Sequence, residues 1–413
     1  ALGLAAQRVG LETAVAWAEQ IGQVMAAELR ALGIGWNLAP VLDVVGAMPN
    51  PGLGLRALGG DPATAGRLGA ALIHGMKQGG ILTCAKHFPG LGEARVDPHL
   101  DLPQVEVDLA EFGERHWPPF RAAIAADVPA VMTTHVVVPR LDAGRPATFS
   151  PAILNRLRQD LGFRGVCVSD DLDMGAITRH QSIPQAAVAA LQAGHDLVIV
   201  GHAGPAEGLA TTQAIAAALA TGALEGSAHE QALARLAALA QQGDVAQVLT
   251  GRPAVALGTD LADAVATASV QVICDPQGLL PLSPGRPVQV IVPDVRPVAD
   301  WVLFESAWFE PDVVARLLVG ERPAEVVVSS LEARPDALAL QPDRVTLLLL
   351  YDAQRHPGQG QVLHQCLSLG LPLVVLPVRN PWDGAQVPES VALIETGGFR
   401  VCQLRAAGRW VQS

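Results

Sequence analysis

Aromatic residues are scarce in this chain of 413 residues, at 4% of the total, and charged residues make up only 16%. Half of the residues are hydrophobic, so a solvated, disordered chain is excluded on composition. The shortage of aromatics leaves Ala, Val and Leu to fill the interior. This composition favours helices packed on buried strands over an aromatic-rich β-sandwich.

Basic residues are also few, with 28 Lys and Arg against 40 Asp and Glu and a net charge of −12. Because no basic block occurs anywhere, neither nucleic acid nor an anionic membrane is expected as a partner. Every apolar run is interrupted by Gly, Pro or a charge before it reaches the ~20 residues that a membrane helix needs. We therefore expect no membrane span, and the oligomeric state is left open.

Cysteine is sparse and scattered, with no CxxC pair and no zinc-binding spacing. The five residues are Cys84, Cys167, Cys274, Cys366 and Cys402. We interpret them as small buried apolar residues in a reducing compartment, so a cytoplasmic location is expected. The sequence starts at Ala1 without a charged n-region, so a cut or processed start is expected, and export with a lost signal peptide is the alternative.

Short apolar runs rich in β-branched residues alternate with Ala-rich stretches of helical period up to about residue 245. This alternation is typical of βα units around a parallel sheet. Because the runs are almost unbroken, both faces of each strand should be covered. The predicted strands are Gly35–Val44, Ile81–Lys86, Ala130–His135, Gly165–Asp170 and Asp196–Val200.

Polar residues stand where the predicted strands end. They are Asp43, Lys86 with His87, His135, and Asp170 with Asp171. In a (β/α)8 barrel the ends of all strands open onto one face, where the chemistry takes place. We therefore predict an α/β fold with a (β/α)8 TIM-like barrel and a functional site at that face.

A second βα series follows after a weakly patterned stretch. Its predicted strands are Val270–Cys274, Val288–Val292, Glu325–Ser329, Val345–Tyr351, Leu373–Pro377 and Val391–Glu395. We predict a catalytic barrel at residues 1–245, a linker at 246–262 and a C-terminal α/β sandwich domain at 263–413. The second domain has no cluster of acids and histidines like that of the first, so no catalytic group is expected there.

The segment 86–99 runs from a strand end into a Gly- and Pro-rich loop that ends in Asp97-Pro98-His99. Lysine occurs only at positions 77 and 86, so Lys86 at the end of a buried strand is an unusual placement. Its ammonium group can donate to hydroxyls or to a carboxylate. Asp97 is close enough in sequence to fix the tautomer of His99, which would make a general acid/base near neutral pH. The alternatives are structural roles for Lys86 and His87 and a solvated Asp-x-His pair.

Three carboxylates, Asp170, Asp171 and Asp173, follow one buried strand. Such a cluster is costly unless its members bind substrate, accept from backbone N–H groups or face cations. A carboxylate nucleophile needs a rigid position of this kind. The competing interpretation is a metal site shared with the histidines of the strand ends. It is disfavoured because neither an HxH pair nor HExxH occurs, and no metal or organic cofactor is expected.

Six motifs occur in order along the first half of the chain: Leu38–Val44, Lys86–Gly92, Asp97–His99, Pro146–Ser150, Phe163–Val166 and Ser169–Met174. Together they resemble glycoside hydrolase family three, and within it the bacterial β-N-acetylglucosaminidase branch, from about residue 30 to residue 200. Gly278–Leu282 and Arg379–Asp383 resemble, more weakly, the α/β sandwich that follows the barrel in two-domain members.

The resemblance implies a retaining exo-acting β-N-acetylglucosaminidase that releases terminal N-acetylglucosamine from cell-wall muropeptides or chitooligosaccharides. On the matching positions, Asp170 would be the nucleophile, and His99, oriented by Asp97, would be the acid/base. The residues that would bind sugar hydroxyls are Arg56, Lys86 and His87. A fixed carboxylate on one side of the sugar and a proton donor on the other agree with a retaining reaction.

The sequence departs from the family at its start. Family members carry, before the first long helix, a strand that ends in Asp and a Gln-Glu-Gly-Gly-Arg-Val segment, and this sequence begins after that point. The barrel as given is therefore expected to lack its first strand and at least two sugar contacts. We expect the sequence to begin within a longer natural chain, and a degenerate relative is the alternative.

Other functions remain open at this point. Phosphate could replace water as the acceptor, because a neutral His repels an incoming anion less than a carboxylate does. A non-catalytic sugar-binding protein and a metal-dependent amidohydrolase on the same barrel are the further alternatives.

Overall fold

The computed structural model describes residues 1–46, 50, 52–242, 258–296, 309–334 and 337–412, which fall into two units. The first unit is Leu11–Gly258, and the second combines Ala1–Gly10 with Thr259–Ser413. The start of the predicted barrel domain therefore differs from the structure, in which residues 1–10 pack with the second unit. The predicted linker, 246–262, lies mostly outside the described residues, and its last residues already belong to a helix of the second unit.

Helices and strands alternate along most of the described chain. In chain order the helices are α1 Leu2–Val9, α2 Leu11–Ala31, α3 Pro62–Gln78, α4 Leu109–Glu111, α5 Pro118–Ala125, α6 Pro139–Asp142, α7 Pro151–Asn155, α8 Gly175–Thr178, α9 Ile183–Ala193, α10 Pro205–Ala220, α11 Gly226–Gln242, α12 Thr259–Ser269, α13 Pro311–Val319, α14 Pro357–Ser368 and α15 Val401–Gln412. The strands are β1 Trp36–Asn37, β2 Leu82–Phe88, β3 Ala130–Thr133, β4 Val137–Val138, β5 Ala143–Pro146, β6 Val166–Asp171, β7 Leu197–Ile199, β8 Gln271–Cys274, β9 Val288–Pro293, β10 Ala324–Ser329, β11 Val345–Leu350, β12 Leu373–Pro377 and β13 Ala392–Glu395. Short π-helical segments, Phe112–His116 and Arg156–Asp160, extend α4 and α7.

The first unit is built on a parallel sheet with the strand order β1–β2–β3–β6–β7. Its strands are covered on both faces, as predicted from their unbroken apolar runs. Val131 and Cys167 pack into one buried cluster, and Ala130, Met132 and Val168 pack into another. Alternate residues of a strand point to opposite faces, so the two clusters lie on the two sides of the sheet.

The sheet is a half-barrel of five strands, which is fewer than expected for the predicted (β/α)8 TIM-like barrel without its first strand. Among the described residues of this unit, no further strand joins the sheet after β7. The chain instead continues through α10 and α11, whose Ala-rich sequences lack a run of β-branched residues and therefore favour helix. The α/β class and the parallel sheet are confirmed, and eight-stranded closure is not seen in the part that the structure describes.

The first predicted strand, Gly35–Val44, is much shorter than expected. Only Trp36–Asn37 pairs as a strand, and Val41 then makes an isolated bridge to Lys86. Pro40 has no amide hydrogen to donate to the neighbouring strand, which interrupts a regular ladder. Its carbonyl still accepts from the Lys86 N–H at 3.0 Å, so the chain continues alongside β2 up to Asp43.

The predicted helix cap at Ser150 is confirmed. The Ser150 side chain accepts from the N–H of Ile153, and Pro151 occupies the first helical position of α7. A hydroxyl at the cap and a proline at the first position satisfy the free amides of a helix start. This helix lies in the connection between β3 and β6, the strand that carries Asp170.

The second unit contains one sheet with the order β10–β9–β11–β12–β13–β8, in which only β8 is antiparallel. The six strands predicted for this region are all present, with ends that differ by two residues at most. The order of the five parallel strands is the doubly wound order 2-1-3-4-5. Every residue of β9, β11 and β12 is buried. The arrangement of this unit as an α/β sandwich stays a prediction.

Helix α1 completes the second unit from the other end of the chain. Leu2, Ala5 and Ala6 are buried, and the Arg8 guanidinium donates to the carbonyl oxygens of Thr267 and Val270 at 3.3 Å. These acceptors lie in α12 and directly after it. A short Ala-rich helix is marginal by itself, so its packing against this unit accounts for its stability.

The cysteines and the helices agree with the composition. All five cysteines are free, and Cys84, Cys167 and Cys366 are buried as predicted, whereas Cys274 and Cys402 are partly exposed. No helix in the described part of the chain has the length and apolar composition needed to cross a bilayer.

Candidate active site

The sheet of the first unit places polar side chains from separate segments at one edge. Lys86 and His87 lie near the end of β2, and Asp170 and Asp171 end β6. Because these strands are parallel, their carboxyl ends meet at the same edge, where α/β proteins bind ligands. The structure therefore brings together the strand-end residues on which the predicted site depends.

Asp43 and His87 form a buried pair at this edge. The Nδ1 of His87 donates to Oδ2 of Asp43 at 2.7 Å, and the backbone N–H groups of His87 and Leu91 donate to the same carboxylate at 3.1 and 2.6 Å. Both side chains are at most 5% exposed. The bond fixes the proton of His87 on Nδ1, so its Nε2 is the acceptor atom. Sequence analysis placed Asp43 at a strand end but gave it no partner.

Lys86 presents a free cation at the same edge. Within the described ranges its ammonium group has no hydrogen-bond or ion-pair partner, and the side chain is half-buried. Burial lowers the pKa of Lys86 below its ordinary value, while the carboxylate of Asp170 acts in the opposite direction. Arg56, an exposed residue of the short helix Gly54–Arg56, adds a second positive charge within electrostatic reach of Lys86. Lys86 is therefore within electrostatic reach of both Arg56 and Asp170.

Asp170 combines a fixed backbone with an available oxygen. Its Oδ1 accepts from the Asp171 N–H at 2.9 Å, and no donor among the described residues contacts Oδ2. Burial alone would raise the pKa of Asp170, but the surrounding groups, which include the Asp171 N–H and the Lys86 ammonium, hold that pKa below its ordinary value. The carboxylate is therefore ionised at neutral pH, as a nucleophile must be.

Asp171, by contrast, is fully occupied by structural bonds. Its Oδ1 accepts from the N–H groups of Gly201 and Asp173 at 2.9 and 3.2 Å, and its Oδ2 accepts from Nδ1 of His202 at 2.8 Å. Backbone N–H groups therefore stabilise the negative charge of Asp171, which reduces the unfavourable energy of three carboxylates close together in sequence. Sequence analysis did not single out His202, although it stands two residues after the end of the predicted strand Asp196–Val200.

His135 supports the backbone beside Asp170. It is fully buried, with Nδ1 at 2.7 Å from the Thr148 hydroxyl and Nε2 at 2.8 Å from the Asp171 carbonyl oxygen. A carbonyl oxygen only accepts, so Nε2 carries the proton. Burial lowers the pKa of His135, which keeps the ring neutral at neutral pH. The ring therefore positions the end of β6 and does not act as an acid.

Asp97 and His99 form the predicted dyad. Oδ1 of Asp97 accepts from Nδ1 of His99 at 2.7 Å and from the His99 N–H at 3.0 Å. The Asp97 side chain is 8% exposed, whereas that of His99 is 51% exposed. The hydrogen bond to Asp97 raises the pKa of His99, and the charge of Asp170 raises it further. The imidazole therefore has one orienting partner and lies within electrostatic reach of Asp170.

The loop that carries the dyad is joined to the segment that follows β6. The N–H groups of Gly175 and Ala176 donate to the carbonyl oxygens of His99 and Pro98 at 3.3 and 3.0 Å. A Cβ at position 175 would lie 2.6 Å from the His99 oxygen, so only glycine permits this approach. Two residues that are far apart in sequence, Asp170 and His99, are thereby held in one framework.

The histidines near the strand ends do not form a metal centre in the described chain. His87 bonds Asp43, His99 bonds Asp97, and His135 bonds Thr148 and a carbonyl oxygen, each with a separate partner.

Comparison with known families agrees with the motifs. Residues 1–239, more than half of the chain, match the family described as Glycosyl hydrolase family 3 N terminal domain. The chain belongs to glycosyl hydrolase family 3. The resemblance found from the motifs is therefore confirmed at the level of the family.

Similar proteins cover different parts of this family 3 chain. A protein named Beta-hexosaminidase from Thiobacillus denitrificans is 41% identical over 185 residues, which are 44% of this chain and 51% of that protein. A protein of the same name from Hydrogenovibrio crunogenus is 39% identical over 195 residues, which are 47% of this chain and 53% of that protein. The chain thus spans about half the length of these curated relatives. The solved glycoside hydrolase family 3 beta-N-acetylglucosaminidase from Paenibacillus sp. str. FPU-7 is similar over 100% of this chain and 80% of its own, with 28% identity and a TM-score of 0.88.

Proposed function

We propose that this chain is a retaining exo-acting β-N-acetylglucosaminidase that removes terminal N-acetylglucosamine from cell-wall muropeptides or chitooligosaccharides. The observation that carries the proposal is the pairing of an ionised strand-end carboxylate, Asp170, with a histidine, His99, whose tautomer is fixed by Asp97. Membership of family 3 and the names of the similar proteins support the substrate class.

In the first step Asp170 is the nucleophile. Its free Oδ2 attacks the anomeric carbon, the glycosidic bond breaks, and a covalent glycosyl-enzyme forms. The proton on Nε2 of the His99 imidazolium passes to the departing oxygen. The raised pKa of His99 suits this role, because it keeps the ring protonated up to a higher pH than an isolated histidine.

In the second step the same histidine works in reverse. Neutral His99 takes a proton from water, and the resulting nucleophilic oxygen displaces Asp170 from the anomeric carbon. Two displacements at one carbon retain its configuration. Asp97 stabilises the imidazolium each time it forms and keeps Nε2 directed away from itself.

Arg56, Lys86 and His87 are the proposed sugar-binding residues. Lys86 supports this role with an ammonium group that has no partner within the described ranges, and Arg56 with an exposed guanidinium. His87 is oriented by Asp43, so its Nε2 can accept from a sugar hydroxyl. These residues would hold the sugar so that its anomeric carbon faces Asp170.

Substitution of the nucleophile tests the proposal. Asp170→Ala should lower turnover of an aryl β-N-acetylglucosaminide by roughly a thousandfold or more, since it removes the atom that forms the covalent bond. Asp173→Ala is the matched control in the same acidic run, and we expect it to change turnover by less than about tenfold. A 5-fluoro N-acetylglucosaminyl fluoride should label Asp170, as located by mass spectrometry of the peptide. Labelling of Asp171 or Asp173 would overturn the assignment.

The acceptor is tested in the same assay. An imidazole acid/base and two nearby cations are compatible with phosphate as well as water, so the reaction is run with and without phosphate. Release of free N-acetylglucosamine in both conditions supports hydrolysis, whereas a sugar 1-phosphate would identify a phosphorylase. Absence of any turnover, together with a rise in melting temperature on adding N-acetylglucosamine, would favour a non-catalytic sugar-binding protein.

A further inference from the structure

Three side chains of types that commonly bind metal ions lie next to one another, close in sequence to the loop that carries Asp97 and His99. The reaction described above does not use them. Glu93 follows β2, Glu111 ends α4, and His116 ends the π-helical segment Phe112–His116. One carboxylate oxygen of each glutamate and one ring nitrogen of His116 lie within 4.8 Å of one another. That spacing is close enough for all three to bind one ion.

His116 is the unusual member, because it is buried without a polar partner among the described residues. The residue is 1% exposed, and neither ring nitrogen has a hydrogen bond to any part of the chain that the structure describes. Its ring packs against Phe112, with 5.2 Å between centroids, and against Gly90, where an added Cβ would lie 2.9 Å from the His116 Cβ. Burying an imidazole whose nitrogens have no hydrogen-bond partner costs free energy. Because packing fixes this ring in place, a ligand that binds one of its nitrogens would explain the arrangement.

The protonation state of His116 suits a metal ligand. Burial, assisted by the neighbouring Arg115, lowers the pKa of His116 to about 4. The ring is therefore neutral at pH 7 and has a lone pair on one nitrogen. Metal ions bind the neutral form of histidine, so no proton has to be displaced from this residue.

Glu93 and Arg115 complete the surroundings. The Glu93 carboxylate lies against Gly46, where a Cβ would overlap it, and its buried Oε1 has no hydrogen bond within the described ranges. Arg115 lies 3.3 Å from Glu93 and 3.9 Å from Glu111, and its Nη2 donates to the Val45 carbonyl at 3.1 Å. The guanidinium thus contacts both carboxylates and holds them in place. Groups that contact metal ligands without binding the ion have the same effect.

We propose that Glu93, Glu111 and His116 bind a divalent transition-metal ion, with Zn²⁺ as the best match. Two carboxylates and one imidazole form a mixed oxygen and nitrogen set that suits Zn²⁺, and three protein ligands leave one position for water. Its ligands are different residues from Asp170, Asp97 and His99, so the proposal does not depend on the proposed glycosidase activity.

The positions of the ligands in the sequence indicate that a bound ion would restrain the segment between them. Glu93 precedes and Glu111 follows the segment 94–110, which contains Asp97 and His99. An ion bound to both ends would close this segment into a loop and reduce its freedom. The proposed metal therefore acts as a clip on the loop that carries Asp97 and His99.

Zinc binding to the full chain tests the site. After removal of metals with chelator, titration calorimetry with Zn²⁺ should show one site in the wild-type protein. Glu111→Gln should weaken that site at least tenfold, because it removes a half-exposed ligand without disturbing the core. Glu114→Gln, an exposed glutamate of the same π-helical segment, is the matched control and should bind like the wild type. Equal affinity in Glu111→Gln and the wild type, or no binding to either, would overturn the proposal.

Proteolysis tests the clip. Arg95 is an exposed trypsin site inside the closed segment. Zn²⁺ should slow cleavage after Arg95 severalfold in the wild type and in Glu114→Gln, but not in Glu111→Gln. If Zn²⁺ bound at these ligands but left the cleavage rate unchanged in all three proteins, the structural role would be wrong. Because no sugar is present in either assay, the outcome is independent of the proposed activity.

Discussion

The individual residue that decides the proposed chemistry is His99. A proton donor matters most when the leaving group is a poor one, since a good leaving group departs without a proton. His99→Ala should therefore slow natural disaccharides at least about a hundredfold more than dinitrophenyl glycosides. The ratio of kcat/KM for the two substrates measures this. His202→Ala, which removes another histidine bonded to a carboxylate, is the control and should slow both substrates alike.

The partner of His99 should set the basic side of the pH profile. Asp97 raises the pKa of His99 above its ordinary 6.5, so the acid form persists to higher pH and kcat/KM should fall only above that value. Asp97→Asn removes the negative charge, and the pKa of His99 should then drop. We expect the basic limb of the kcat/KM profile to move to lower pH in this variant. An unmoved limb would show that another group donates the proton.

Residue identities could be predicted where a local pattern marked them. Asp170, Lys86 and His99 follow buried strands or stand in short motifs, so their placement could be inferred from sequence. The pairing of Asp43 with His87 joins residues 44 positions apart, and no local pattern encodes that contact. The Glu93–Glu111–His116 group has no spacing typical of metal sites, because a loop and a π-helical segment bring it together.

At the level of elements, buried strands were the most predictable part of the fold. Unbroken apolar runs located β2, β3, β6 and the strands of the second unit within a few residues. The prediction was wrong for Gly35–Val44, where Pro40 interrupts the ladder. The further strands expected of a barrel are not seen after β7 in the described residues, where Ala-rich sequence forms helices. Apolar character alone does not distinguish a paired strand from an extended segment beside one.

The short helix Pro381–Gln386 after β12 carries a buried acid whose charge is unfavourable. Oδ1 of Asp383 accepts from the Ala353 N–H at 3.0 Å, while its buried Oδ2 has no hydrogen bond to any described residue. Burial, assisted by the carboxylate of Asp352, raises the pKa of Asp383 to about 7. An acid with a raised folded pKa binds its proton more tightly in the folded state, so its cost to stability grows between about pH 4 and pH 7.

Asp383→Asn should therefore stabilise the protein more at pH 8 than at pH 5, by about 2 kcal/mol in the free energy of unfolding. Urea unfolding at both pH values measures the difference. Asp294→Asn is the control, because Arg296 lowers the pKa of Asp294 and that carboxylate is ionised throughout this range. Its effect on stability should not change between pH 5 and pH 8. Neither substitution should lower kcat, since no catalytic group is expected in residues 263–413.

For the whole molecule, the division into two units predicts which part of the protein is destabilised by a substitution in α1. Ala5 of α1 is fully buried, whereas Gln7 is exposed. Ala5→Asp places a carboxylate in the interior and should destabilise the second unit by about 3 kcal/mol. Gln7→Asp should change stability by less than about 0.5 kcal/mol. Hydrogen exchange of the α12 amides reports this unit, and unchanged protection in Ala5→Asp would contradict the assignment of α1.

The pairing of α1 with α12 also fixes an order of events during synthesis. Leu2–Val9 leaves the ribosome about 250 residues before Thr259–Ser269, its packing partner. At bacterial and eukaryotic elongation rates that interval lasts roughly 12 to 50 s. The half-barrel with the candidate site can fold within this time. During the same interval the apolar face of α1 lacks its packing partner, α12. A nascent chain stalled near residue 245 is therefore expected to recruit holdase chaperones through residues 1–10.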